Sequence, residues 1–310
     1  CIVGAGAIGG FVGAKLALAG EEVTFIARGE HLKAIRERGL TVKSIKGDFA
    51  VHPAKATSDP AEVGPVDVVL VGVKTWQVTE AAEALRPLVG PNTAVVPLLN
   101  GVEVVDQLTA VLDKKNVLGG LCAIVAFVSG PGAITHAGID PWLKFGELDN
   151  QRSSRAEQLC QAFTDAKVNA EVPKDIHHAT WRKFMIIASW AGMGSVTRAP
   201  IDIIRGMPET RALLTQVIEE VRAVGNAKGV KLTDEDTKAV LAFLDGVTAG
   251  GTSSMQRDIR DGRRSELEAM NGAVVRLGKA AGVPTPVNTF LYHSLLPLEL
   301  RALGKHSFNL

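Results

Sequence analysis

Cysteine is scarce in this chain, neither charge is in excess and no long apolar run occurs, and each shortage removes a class of protein. The cysteines, Cys1, Cys122 and Cys160, are odd in number, far apart and without metal-ligand spacing. They suggest neither a disulfide framework nor a zinc site, and a reducing compartment suits them best. The histidines, His177 and His178 among them, lack partners at useful spacing, so no metal is expected. Basic and acidic residues number 34 and 33, leaving a net charge of +1 and no signature of a nucleic-acid surface. The longest apolar stretch, Leu118 to Val128, is broken by glycines and too short to span a bilayer. The apolar start of the chain resembles a signal peptide only superficially, because its glycine spacing has a better explanation. A cytoplasmic protein with neither a membrane nor a nucleic-acid partner is therefore expected. What remains is ordinary globular composition, 46% apolar and 22% charged over 310 residues, long enough for two domains with a core each.

From Cys1 to about Val172 short β-branched runs alternate with helical stretches, the rhythm of an open, mostly parallel sheet. Strands are predicted at Cys1 to Val3, Glu22 to Ile26, Val66 to Val71, Thr93 to Leu98 and Val117 to Leu121, with helices at Ile8 to Ala19 and Val78 to Leu88. The first strand begins so abruptly that residues preceding Cys1 are expected. Beyond Pro173 the pattern turns to amphipathic helices over Ile176 to Val196, Glu209 to Ala227, Asp234 to Val247, Ser265 to Ala281 and Asn288 to Leu303. Thr233 and Asp234 read as an N-cap, and Gly225, Gly229 and Gly282 as helix ends.

Gly4-Ala5-Gly6-Ala7-Ile8-Gly9 follows the first strand and opens the first helix. In such a turn the first glycine permits the tight backbone, the second admits a diphosphate close to the chain, and the third lets helix and strand pack closely. The diphosphate then meets free amides at the positive end of the helix. The expected fold class is thus α/β: an N-terminal Rossmann-type dinucleotide-binding domain over 1–172, followed by an all-α domain over 173–310. The second strand ends Phe25-Ile26-Ala27-Arg28, where an NAD site usually presents an acid to the ribose. Arg28 instead offers a guanidinium to a 2′-phosphate, with no carboxylate beside it in the sequence, so NADPH/NADP is the expected cofactor. His31 and Lys33 read as the polar face of the next helix.

Several further segments, together with the glycine turn, resemble the ketopantoate reductase (2-dehydropantoate 2-reductase) family: Lys74-Thr75-Trp76-Gln77, Asn100-Gly101, Trp181-Arg182-Lys183, Ser253-Ser254-Met255 running on to Gly262-Arg263-Arg264-Ser265-Glu266, and Asn271-Gly272. They occur in the family's order along nearly the whole chain. The resemblance implies a helical substrate domain behind an NADP-binding one, a cleft between them, and reduction of a 2-oxo acid to a 2-hydroxy acid in pantothenate biosynthesis. Hydride reaching a ketone carbon leaves an alkoxide that must be stabilised and protonated. Lys183 stands at the family's catalytic lysine and, as an ammonium with an ordinary pKa of about 10.4, is able to do both. By the same resemblance Glu266 is the acid near the substrate hydroxyl and the lysine, and Asn100 and Lys74 lie near nicotinamide and substrate. Ser254 is the serine that holds the substrate carboxylate. A non-catalytic NADP-binding sensor is the alternative class, against which Lys183 and Glu266 speak. A homodimer is compatible with the amphipathic helices.

The chain also departs from the family. Asparagines expected four and eight residues beyond the lysine are Ile187 and Ala191, and another, ahead of the serine pair, is Gly251. On a helix Lys183, Ile187 and Ala191 share one stripe, with Trp190 adjacent, so the substrate wall they form is apolar. The chemistry is then retained while recognition of the substrate tail changes, favouring a 2-oxo acid with an apolar tail; Arg257 is a candidate second anchor for the carboxylate.

Overall fold

A computed structural model describes residues 1–308. They form two compact units, Cys1–Leu99 with Val104–Ile176, and Asn100–Glu103 with the chain from His177 onward.

In the first unit, strands β1 (Ile2–Val3), β2 (Thr24–Ile26), β5 (Lys55–Thr57), β6 (Val66–Val71) and β7 (Val89–Pro97) make one sheet in the order β5-β2-β1-β6-β7. All its pairings are parallel, with Ile2 opposite Phe25 and Leu70. Side chains alternate across a strand, so each β-branched run feeds two cores at once. Ile2, Phe25 and Leu70 point into a cluster with Phe11, Val12 and Leu16 of helix α1 (Ala7–Leu18). Val3, Ile26, Val69 and Val71 point the other way, into Val78 and Ala82 of helix α3 (Val78–Ala84). That double coverage explains why these strands read as continuous apolar runs. Strand order reverses at β1, which has β2 on one side and β6 on the other, and ligands of open α/β sheets bind outside the strand ends at such a point. Between β2 and β5 lie helix α2 (Gly29–Arg38) and strands β3 (Leu40–Ser44) and β4 (Phe49–Val51).

Two smaller sheets were not visible in the sequence pattern. Strands β9 (Ala126–Gly130) and β10 (Ala133–His136) join β3 and β4 in the order β4-β3-β10-β9. Strand β8 (Leu118–Ala123), expected in the parallel sheet, instead pairs antiparallel with β11 (Trp142–Glu147), and β12 (Asn169–Glu171) completes that sheet. Only Val117, beside β8, makes a single parallel bridge to Val95 of β7. The apolar stretch Leu118 to Val128 is therefore two strands of two sheets. Its glycines have a packing reason, since a Cβ on Gly120 would lie 2.3 Å from the Pro97 carbonyl oxygen. Helices α4 (Val104–Thr109) and α5 (Ser154–Asp165) complete the unit.

The second unit is built on α6 (Ile176–Thr197), α8 (Pro208–Ala227), α9 (Asp234–Gly246), α11 (Asn271–Ala281) and α12 (Pro286–Ala302), with the shorter α7 (Ile201–Gly206) and α10 (Ser254–Arg260). Phe184, Met185 and Ala188 of α6 pack with Leu214, Val217, Ile218 and Val221 of α8 in its core. The Asp236 carboxylate reaches back to the Thr233 amide at 2.9 Å, so the predicted start of α9 holds. Gly282 closes α11 in the left-handed conformation, and Gly229, also at positive φ, follows α8. Gly225 lies in the last turn of α8, where its carbonyl accepts from the amides of Lys228 and Val230, and it is buried: a Cβ would meet Leu232 Cδ1 at 2.6 Å and Trp181 Cε3 at 2.8 Å. The helix expected from Ser265 begins only at Asn271, because the backbone is first turned by a 3-10 segment at Leu267–Ala269. Among the described residues no helix is long and apolar enough to cross a membrane, and no group of three or more His, Cys, Asp or Glu is placed to hold a metal.

Candidate active site

In the first unit the glycine turn leaves β1 at the point where strand order reverses. Gly4 has φ +91°, and a Cβ there would lie 2.9 Å from backbone atoms of Gly72 and Val73, which follow β6. A Cβ on Gly9 would lie 2.2 Å from the Gly4 carbonyl oxygen, so this glycine is what allows α1 to start against β1. Gly6 is different: no protein atom stands within 4 Å of its Cβ direction. The first bond of the helix runs from the Gly10 amide to the Gly6 carbonyl, so the amides of Ala7, Ile8 and Gly9 are spare of helical partners. A close-packed first glycine, an open second one and free first-turn amides are what a dinucleotide diphosphate requires. Lys74 follows β6 and is exposed, its ammonium 5.8 Å from the ring centre of Trp76.

Arg28 follows β2 and caps α2, as the sequence indicates, but a carboxylate does stand beside it. Both terminal nitrogens of its guanidinium donate to Oε1 of Glu80 at 3.2 Å. The acid comes from α3, 52 positions away, where no local motif announces it.

The second unit brings together three of the predicted residues. Lys183 Nζ donates to Asn100 Oδ1 at 2.9 Å, and Asn100 Nδ2 donates to Glu266 Oε2 at 3.2 Å. Lys183 lies in the second turn of α6, Asn100 in the 100–103 segment, and Glu266 on the turn before the 3-10 segment. Glu266 is 7% exposed, so its carboxylate depends on protein partners more than on water. Asn100 thus sits between the lysine and the acid.

Each arm of this triad is braced by residues that sequence reasoning passed over. Arg276 donates to Glu103 Oε2 and Glu268 Oε2, each at 2.7 Å, and to the Glu268 carbonyl at 2.9 Å, tying the Asn100 segment to the turn that carries Glu266. Gly101, at φ +93°, passes so close to that turn that a Cβ would lie 3.3 Å from the Ala269 carbonyl oxygen. The buried carboxylate of Glu299 accepts from the Ser265 amide and hydroxyl, fixing the residue before Glu266. Asn271, fully buried, donates to the Ala188 carbonyl of α6 at 3.3 Å and to Asn288 Oδ1 at 2.9 Å. Its amide fits because position 192 is glycine, where a Cβ would lie 2.7 Å from it. Asn271-Gly272 is legible in the sequence as a motif. Glu103 is 173 residues from Arg276 and Glu299 is 34 from Ser265, so neither pairing gives a periodic or local signal.

Ser253 caps α10 by accepting from the Gln256 amide at 3.1 Å, which leaves the adjacent Ser254 exposed at the first position. The Arg257 guanidinium donates to the Thr252 carbonyl at 2.6 Å and hydroxyl at 3.2 Å, so it braces its own loop. Because α6 is unbroken, Ile187 and Ala191 do follow Lys183 at one-turn intervals. Ile187 is half-buried against the helical core and Ala191 is buried within it. The Trp190 indole nitrogen is buried without a hydrogen-bond partner. At Gly251 an added Cβ would lie 2.8 Å from Val247 Cγ1, so the backbone here is packed for glycine.

Comparison with known proteins covers both units. The family described as ketopantoate reductase PanE/ApbA matches residues 1–150, and its C-terminal part, ketopantoate reductase PanE/ApbA C terminal, matches residues 175–299. A two-unit oxidoreductase acting on a CH–OH group is the class so defined, and the chain belongs to the ketopantoate reductase family. It is 30% identical to a 2-dehydropantoate 2-reductase of Nostoc sp. over 97% of this chain and 95% of that protein. The crystal structure of a PanE/ApbA family ketopantoate reductase from Ralstonia eutropha JMP134 is 31% identical, with a TM-score of 0.87, and the match covers 98% of this chain and 100% of that one. D-mandelate dehydrogenase, solved with NADH and anilino(oxo)acetate, shares the fold at 24% identity and a TM-score of 0.88, over 97% of this chain and 99% of that one.

Proposed function

We propose that this protein reduces 2-dehydropantoate to pantoate with NADPH. The reading rests above all on the Lys183, Asn100 and Glu266 constellation, and the similar proteins named 2-dehydropantoate 2-reductase support it. The turn from Gly4 to Gly9 would hold the diphosphate, with Lys74 and Arg28 as the cations at the ends of β6 and β2. The chemistry that a dinucleotide held there would supply is a hydride for the C2 carbonyl carbon of the acid. Lys183 polarises the carbonyl oxygen and then gives it a proton from Nζ, so that C=O becomes CH–OH and the lysine is left neutral until solvent restores its proton. Asn100 keeps that ammonium in one orientation through its carbonyl oxygen, while its amide group holds Glu266. The Glu266 carboxylate is then an acceptor for the product hydroxyl, and Ser254 an anchor for the substrate carboxylate.

A second reading concerns the tail. Ile187 and Ala191 stand on the lysine stripe where the family resemblance calls for asparagines, which favours a 2-oxo acid with an apolar branched or aromatic tail. An unpaired buried hydroxyl costs about 1–3 kcal/mol, one to two decades in kcat/KM. Rates of NADPH oxidation with ketopantoate, 2-oxoisovalerate and phenylpyruvate separate the two. Preference for ketopantoate by about tenfold or more supports the first reading. The reverse order, moved back towards ketopantoate by Ile187→Asn, establishes the second, and no turnover with any of them overturns both.

A further inference from the structure

The acid that an NAD site carries at the end of its second strand is missing from β2, yet Glu80 of α3 stands against the cation that replaces it. We infer that Glu80 is a specificity-determining residue that opposes the 2′-phosphate of NADPH by occupying Arg28, and that it narrows the discrimination between the two nicotinamide dinucleotides. The inference rests on the proposed role of Arg28 as the 2′-phosphate cation. One carboxylate oxygen receives both terminal nitrogens of the guanidinium at 3.2 Å. Those two nitrogens form the fork that a phosphate would engage bidentately, so carboxylate and phosphate compete for one set of donors. They also repel each other. Each side chain is about two-thirds exposed, 69% for Arg28 and 67% for Glu80, so both remain accessible to a ligand and neither supports the core. NADH has no 2′-phosphate and leaves the pair intact, with the carboxylate available to accept from a ribose hydroxyl.

An exposed ion pair is weak, which sets the size of the effect. Removing the competing charge is expected to tighten the binding of a 2′-phosphorylated dinucleotide about three- to tenfold. The test is calorimetric titration of NADP⁺ and NAD⁺ into the full chain as wild type, Glu80→Gln, Arg28→Ala and the double variant, a binding readout that needs no turnover. Glu80→Gln is expected to lower the NADP⁺ Kd by that factor, to leave or weaken NAD⁺ binding, and to do nothing for NADP⁺ once Arg28 is alanine. If Glu80→Gln leaves the NADP⁺ Kd unchanged while Arg28→Ala weakens NADP⁺ selectively, Arg28 keeps its role and the inference about Glu80 is overturned. Equal tightening of NAD⁺ by Glu80→Gln also overturns it, because the acid would then be repelling the shared diphosphate. Should Arg28→Ala affect both dinucleotides alike, the 2′-phosphate role of Arg28 falls and Glu80 falls with it.

Discussion

Asn100 is the position where substitution tells most about the site, because its amide does two opposite things. The carbonyl oxygen accepts from Lys183 at 2.9 Å and the nitrogen donates to Glu266 at 3.2 Å. Alanine removes both bonds. A hydrogen bond to a charged group contributes about 1.5–3 kcal/mol, so losing the orientation of the lysine should cost kcat roughly one to two orders of magnitude. Aspartate is nearly the same shape and still accepts from Lys183, but it has no proton for Glu266 and sets a second carboxylate beside it. At ~4 Å and an effective dielectric of ~20, such a pair repels by about 4 kcal/mol. Asn100→Asp is therefore expected to be no better than Asn100→Ala near neutral pH, and to recover activity as pH falls and one of the two carboxyls takes a proton. Steady-state kcat and KM with NADPH and ketopantoate, calorimetric affinity for NADP⁺ and thermal melting would be measured on all three proteins. The reasoning is refuted if Asn100→Asp keeps wild-type kcat. Loss confined to NADP⁺ affinity, with kcat preserved, would show that Asn100 serves the cofactor instead.

Lys183→Ala is expected to lower kcat by about two orders of magnitude or more while the NADP⁺ Kd measured by calorimetry stays near the wild-type value. Arg276→Ala should lower kcat about tenfold, because the Asn100 segment and the Glu266 turn lose their shared clamp. Arg276→Lys, a point charge without the fork, should rescue it only in part, with wild-type turnover in the alanine variant the disproof. Acid stability should depend on Asp236: burial works to raise its carboxyl, but hydrogen bonds from Thr233 and His178 outweigh that and hold it below its ordinary value. Its contribution is then full above an ordinary carboxyl pKa of about 4 and is lost as pH falls through the lowered native value, so Asp236→Asn should flatten that limb of a denaturation-versus-pH curve.

The parts of this molecule that were legible in its sequence are those written locally. The glycine turn, the β-branched strands Val66–Val71 and Thr24–Ile26, and the long helices follow from periodicity and backbone freedom within a dozen residues. What failed required a distant partner. β8 reads as one more parallel strand until β11 claims it, Glu80 reaches Arg28 from another helix, and Arg276 meets Glu103 across 173 positions. The triad was named residue by residue through resemblance, yet nothing in the sequence said that Asn100 would stand between the lysine and the acid. Gly225 does stand in the last turn of α8, but the reason it is glycine is packing, and that is measurable. At an exposed helical site a glycine-to-alanine change would stabilise by about 1 kcal/mol, and Gly225 is not such a site. It is instead buried in α8 beneath Trp181 and Leu232, with only 2.6–2.8 Å between those side chains and the place of a Cβ. Trp181 lies two residues before Lys183 on α6, so any displacement of its indole reaches the helix that carries Lys183. Gly225→Ala is therefore expected to destabilise the protein by about 1–3 kcal/mol, the usual cost of overpacking, less the helix-propensity gain. Urea denaturation followed by far-ultraviolet circular dichroism reads the difference, and a variant as stable as the wild type or more so would mean that the contact between α8 and α6 is looser than the structure describes.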